Sequence, residues 1–162
     1  MNNYEAPVSN VDLPVLEFKP VRGVIYALLI AIVGVSIFSL VGSIVAIALS
    51  GVSFMDEAAV DAALSQNTLF MVVDAIGSVF LFILAGRVLA IHVPGREMLF
   101  SIMVTGIVLA VYGVTFFYAE GAFSAFPVWY NVASIVCVIF GISIGAGLVQ
   151  KFSAKSNVKS SV

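Results

Sequence analysis

Asp74 is the one ionisable residue placed deep inside a long apolar stretch of this chain, in a run that opens near Thr68 and stays uncharged otherwise until Arg87. If that run is a helix, Asp74 lies about 9 Å from its start. An acid at the centre of a membrane-spanning helix costs about 2.5–3.5 kcal/mol, and such residues either pair with a partner or mark an ion pathway. Arg87 is thirteen residues further on, about 20 Å along a helix, so an ion pair within the chain is not expected. Ser78 stands one turn later, and Ser39, Ser43, Tyr112 and Asn131 fall at comparable depth in other apolar stretches. All five are candidate hydrogen-bond partners. Two readings stay open: the carboxylate locks two helices together, or it binds a proton or another cation. In the second case Asp74→Asn abolishes transport.

The remaining polar groups form two clusters. Arg87, His92, Arg96 and Glu97 surround a short loop. A metal site is not expected there, because no second ligand stands beside the single histidine. Anchoring is the expected role, with a docking surface as the alternative. Tyr118, Glu120, Trp129, Tyr130 and Asn131 lie at the ends of the third and fourth apolar stretches. They read as an aromatic belt at a membrane interface, with a small binding site as the alternative. Cys137 is the only cysteine, so neither an intrachain disulfide nor dithiol redox chemistry is available. One histidine cannot supply both axial ligands of a haem. No Gly-x-Ser-x-Gly, His-Glu-x-x-His or phosphate-cradling loop occurs. Gly145-Ala146-Gly147 lies within an apolar stretch rather than between a strand and a helix. The chain is read as non-enzymatic, with no cofactor.

The elements that must position these residues follow from composition. Of 162 residues 62% are hydrophobic and 10% charged, against roughly 45–50% and about 25% in soluble domains. A soluble core of this length cannot absorb so much apolar surface. The expected fold class is all-α, an integral membrane four-helix bundle with up-down topology. The spans are placed at 20–50, 68–91, 98–119 and 128–150, each reaching the roughly 20 residues a bilayer requires. Residues 1–19 and 151–162 are read as tails, the second as disordered. A connection at 51–67 holds a short amphipathic helix, with Ser53 and Asp56 resembling a capping box and Asn67 capping the second span. Residues 92–97 and 120–127 are loops. The uncharged run 24–49 far exceeds the about 7–15 residues of a signal-peptide core, so it reads as an uncleaved span.

Orientation follows from Lys19, Arg22, Arg87, Arg96, Lys151, Lys155 and Lys159, which four spans place on one side. The other two loops carry Asp56, Glu57, Asp61 and Glu120 and no basic residue. Positive charge marks the cytoplasmic side, so both termini are expected there, in a bacterial inner membrane.

Small residues allow close helix approach. Ser36, Ser39, Ser43, Ala46 and Ser50 form one seam, Gly106, Ala110 and Gly113 a second, and Ser134, Cys137, Gly141 and Gly145 a third. Packing within the bundle is expected, with the last seam as an alternative face between copies. Ala85-Gly86-Arg87-Val88 and Ala146-Gly147-Leu148-Val149 hint at parallel duplication of two hairpins.

Residues 71–150 combine Ala85-Gly86-Arg87-Val88-Leu89-Ala90, the loop Pro94-Gly95-Arg96, the opening Pro127-Val128-Trp129-Tyr130 and the small residues from Gly141 to Gly147. In these features the chain resembles a loose class of small bacterial four-span proteins of unknown function. The resemblance implies a four-helix inner-membrane protein and no particular activity. The leading expectation is an accessory or assembly component of a membrane complex, or a homo-oligomer. Its partners are the lipid bilayer and another membrane protein or a second copy, and not nucleic acid, for which basic residues are too few. The alternative is a small transporter or channel using Asp74.

Overall fold

The computed structural model describes residues 17–118 and 126–159. Glu120 and the first sixteen residues lie outside them. The described residues form five helices and no strand: α1 (Pro20–Ser50), α2 (Glu57–Ser65), α3 (Thr68–His92), α4 (Glu97–Tyr118) and α5 (Val128–Lys159). Four of them, α1, α3, α4 and α5, are long and apolar enough to cross a membrane. Their outward faces are apolar, with Leu69, Phe80 and Ile102 exposed, while Asp74, Ser78, Glu97 and Ser101 are buried. That pattern inverts the usual soluble arrangement.

Local chemistry sets the helix ends. Pro20 opens α1, where its missing N–H costs nothing. Gly51 closes it with φ 70°, a left-handed cap for which glycine is suited. Asp56 caps α2 by accepting from the Ala59 N–H at 3.1 Å. Ser53 accepts from the Met55 N–H instead, so the expected Ser53–Asp56 capping box does not form. Asn67 caps α3, accepting from the Phe70 N–H at 2.9 Å. Gly95, with φ 81°, turns the chain between α3 and α4, and its N–H donates to Glu97 Oε1 at 2.8 Å. α5 continues to Lys159, through residues expected to be irregular. No Gly or Pro interrupts 150–159, so each further residue adds one backbone bond to an existing helix.

α3 is the centre of the bundle, and its contact with α5 is the most extensive. Gly86, Gly141 and Gly145 permit it. A Cβ on Gly86 would lie 2.1 Å from the Ile142 carbonyl oxygen, and one on Gly145 would lie 2.1 Å from that of Ile83. The small-residue seam of α5 therefore faces α3, and it is not free to serve as a face between copies. Gly106 and Gly113 of α4 have open space where a Cβ would stand. Ser36 is exposed and donates to the Ile32 carbonyl of its own helix at 2.7 Å. These three residues, expected in helix packing, make no helix–helix seam among the described residues.

α1 meets α3 along a line that keeps Ser39 and Ser43 of the expected serine seam and leaves Ser36 and Ser50 exposed. Gly23, Ala27, Ala31 and Val35 are buried at four-residue intervals, and Ser39, Ser43 and Ile47 continue the series. A regular α-helix turns about 100° per residue, so twelve residues from Ala27 to Ser39 would leave the two faces about 120° apart. Residues Leu29–Gly34 instead form a π-helical turn, which takes up one extra residue and reduces the mismatch to about 20°. Deleting the exposed Val33 is therefore expected to be tolerated, restoring a plain α-helix with Ser39 still facing α3. Adding one alanine after Val33 is expected to swing the rest of α1 by about 100° and to lower thermal stability in detergent sharply. Equal melting temperatures for the two variants would contradict this account.

Candidate functional site

The buried stripe of α3 runs through Met71, Asp74, Ser78 and Phe82 at helical spacing, which carries Asp74 inward. The residue is 6% exposed. The four-residue line of α1 brings in Ser39, whose hydroxyl donates to Asp74 Oδ1 at 2.6 Å. Tyr130, in the first turn of α5, donates its hydroxyl to Oδ2 at 2.5 Å. Each carboxylate oxygen thus has one hydroxyl donor, and three helices meet at one acid. Charge-assisted O–H···O bonds of this length are among the stronger hydrogen bonds.

The acid borders a cavity of about 340 Å³ between α1, α3, α4 and α5. It lies toward the end of the bundle where α1 finishes and α3 begins, here called the distal end. Ser43, Ser78, Tyr112, Asn131 and Ser134 contribute polar lining. Phe70, Phe82, Phe126 and the tyrosines contribute ring surface. Several hydroxyls are folded back on their own helices: Ser43 on the Ser39 carbonyl at 2.8 Å and Ser134 on the Tyr130 carbonyl at 3.0 Å. Such local bonds satisfy the hydroxyl without a tertiary partner. Among the described residues no Lys, Arg or His lines the cavity, so an ionised Asp74 gives it an uncompensated negative charge.

The five residues singled out around Asp74 all reach this cavity. Ser39 bonds the carboxylate directly, while Ser43, Ser78, Tyr112 and Asn131 stand in the lining. Tyr130 was not among them. Tyrosine is enriched at membrane interfaces, so the belt reading came first and the link to Asp74 was not drawn. The available signal was its spacing: Tyr130, Ser134 and Cys137 share one helical face with Gly141 and Gly145, the face that must approach α3. The ring of Trp129 stands 5.9 Å from that of Tyr130, edge to face.

The cluster at the opposite, proximal end is a packing clamp. His92 Nδ1 is 2.8 Å from the Val88 carbonyl oxygen, and the ring meets Tyr26 edge-on at 5.6 Å. The Lys19 N–H donates to the His92 carbonyl at 2.8 Å. Arg96 stands 5.9 Å over the Phe18 ring, within cation–π range. No group of three His, Cys, Asp or Glu among the described residues could hold a metal ion.

No protein-family model matches the chain, and no curated protein or solved structure does so either. The functional reading therefore rests on the geometry around Asp74. Removing one donor tests how that geometry is held. Ser39→Ala and Tyr130→Phe are each expected to destabilise the protein by about 1–2 kcal/mol, in the range for interhelical bonds in membranes and bonds to charged groups. The double variant is expected to depart from additivity, because both donors share one carboxylate. Thermal unfolding in detergent across the four-member cycle checks this. Strict additivity with negligible single effects would show that the contacts contribute little.

Proposed function

We propose that this chain is a small membrane protein of four spans that binds a monovalent cation at Asp74 and passes it across the bilayer. The observation that carries the reading is the cavity itself: one buried carboxylate, hydroxyls aimed at it from two other helices, and no cationic side chain among the lining residues. A carboxylate kept only to lock helices would be expected to sit in packed surroundings, not beside open volume. In vesicles the wild-type protein is expected to carry methylammonium down its gradient faster than protein-free vesicles, and Asp74→Asn to fall to background. Wild-type flux at background would overturn the proposal.

The orientation proposed places the proximal end in the cytoplasm of a bacterial cell, because the seven basic residues fall at that end by chain order. In a chain with Cys137→Ala, Asp61→Cys is expected to react with a membrane-impermeant maleimide from outside intact cells. Arg96→Cys is expected to react only after the cells are opened. The reverse pattern would invert the topology.

A second reading is an accessory subunit or homo-oligomer. The uncovered face of α4 at Gly106 and Gly113 supports it, since close approach of a partner helix needs such residues. Stoichiometric recovery of a foreign membrane protein after mild-detergent purification would favour this reading over the first.

A further inference from the structure

The Asp74 cavity does not stop at the wall of the bundle. α1 and α4 pack against each other chiefly over Pro20–Leu28, and beyond it α1 rests on α3. This leaves a groove of about 230 Å³ between α1 and α4 toward the distal end. The groove and the cavity share Val35, Ser39, Tyr112 and Thr115, so they adjoin along that line. Its outer lip is at the bundle surface, where Ser36 and Thr115 are exposed and Val111 is 39% exposed. Both lip hydroxyls are satisfied on their own helix: Ser36 on the Ile32 carbonyl at 2.7 Å and Thr115 on the Val111 carbonyl at 2.9 Å. With those groups paired, and with Ala31, Ile32 and Val35 as its other wall, the groove suits a hydrocarbon chain. The inner end presents the Asp74 carboxylate and the rings of Tyr112, Tyr130 and Phe70. A negative charge beside aromatic faces is the combination that holds an alkylammonium.

We propose that cavity and groove form one site for a single-chain amphiphile of net positive charge, a long-chain alkylammonium. Its head lies beside Asp74 and its tail leaves between α1 and α4 into the surrounding membrane. This rests on the reading of Asp74 as a cation site. A phosphate-bearing head is disfavoured, because among the described residues neither cavity nor groove offers a Lys, Arg or His to pair with a second anion placed near the carboxylate.

The test uses the full chain in phosphatidylcholine nanodiscs, with Trp129, its only tryptophan, as the fluorescence reporter beside Tyr130. Three probes are titrated: dodecyltrimethylammonium, dodecylphosphocholine with the same tail, and tetramethylammonium as the head alone. Dodecyltrimethylammonium is expected to saturate and to bind about tenfold or more tighter than either of the others. Asp74→Asn is expected to weaken it by about tenfold or more, since the charge partner is gone. The lip variant Ser36→Phe with Val111→Phe is expected to weaken it by about tenfold without changing the weak response to tetramethylammonium. Equal binding of tetramethylammonium and dodecyltrimethylammonium, both lost in Asp74→Asn, would overturn the amphiphile proposal and leave the cation site standing. Dodecylphosphocholine binding as tightly as dodecyltrimethylammonium would overturn both. The order of the three probes on the wild-type protein decides the amphiphile proposal even if the Asn variant does not fold.

Discussion

Leucine in place of Gly86 or Gly145 is expected to abolish the folded bundle. At each position a mere Cβ would stand 2.1 Å from a carbonyl oxygen of the facing helix. The obstacle is backbone in both cases, so no side-chain rotation relieves it, and α3 and α5 would have to separate along their longest contact. Overpacking a close-packed core typically costs about 1–3 kcal/mol where neighbouring side chains can yield. Here they cannot, and even Gly86→Ala is expected to cost about 3 kcal/mol or more. Gly106→Ala and Gly113→Ala are the matched controls, since open space surrounds both positions. They are expected to be neutral, or slightly stabilising through the better helix propensity of alanine. Detergent-solubilised protein followed by size exclusion and thermal unfolding reads all five variants. Similar stabilities for Gly86→Ala and Gly106→Ala would refute the α3–α5 crossing.

The second large effect is expected at Asp74. Asparagine has nearly the same shape, and its amide oxygen can still accept from Ser39 or Tyr130. It cannot carry negative charge. Asp74→Asn is therefore expected to lose one of two hydrogen bonds, about 1 kcal/mol of stability, while cation flux falls to the vesicle background. Asp74→Glu separates charge from geometry. It keeps the charge but lengthens the side chain by one methylene, so it is expected to retain reduced flux. The discriminating pattern is a folded Asn variant without flux beside a Glu variant with some. A folded Asn variant with wild-type flux would leave the carboxylate as a helix lock and return the α4 face to first place.

The same two sites show why parts of this protein could be read from its residues and parts could not. Hydropathy is a local sum, so the four apolar stretches and most of their limits were legible, as were the cap at Asn67 and the turn at Pro94-Gly95. Asp74 was legible because an acid in an apolar run is rare and costly. Its contact with Ser39 was within reach as one of several candidates at matching depth, but depth alone did not choose among them. Tyr130, 56 residues away, read first as an interface residue, with a small binding site at its end of the bundle as the alternative, and nothing local tied it to Asp74.

Facing direction is what the residues did not determine. Each helical residue turns the face by about 100°, so a single misplaced residue moves a seam to another side. In α1 the π-helical turn at Leu29–Gly34 made that shift. It brought Ala27 and Ala31 into line with Val35, Ser39 and Ser43, so that the buried line keeps two serines of the seam and leaves Ser36 and Ser50 exposed. The glycines of α4 and α5 make the same point. Gly106 and Gly113 have a spacing as suited to close packing as that of Gly141 and Gly145, yet only the latter pair meets another helix. By itself the amino-acid sequence determined how many helices form, how apolar they are, where they begin, and that one acid lies within them. Only the tertiary structure decided which faces meet, that two hydroxyls converge on that acid, and that a cavity remains beside it. Those outcomes depend on backbone-to-backbone approach between helices distant along the chain, which no local pattern encodes.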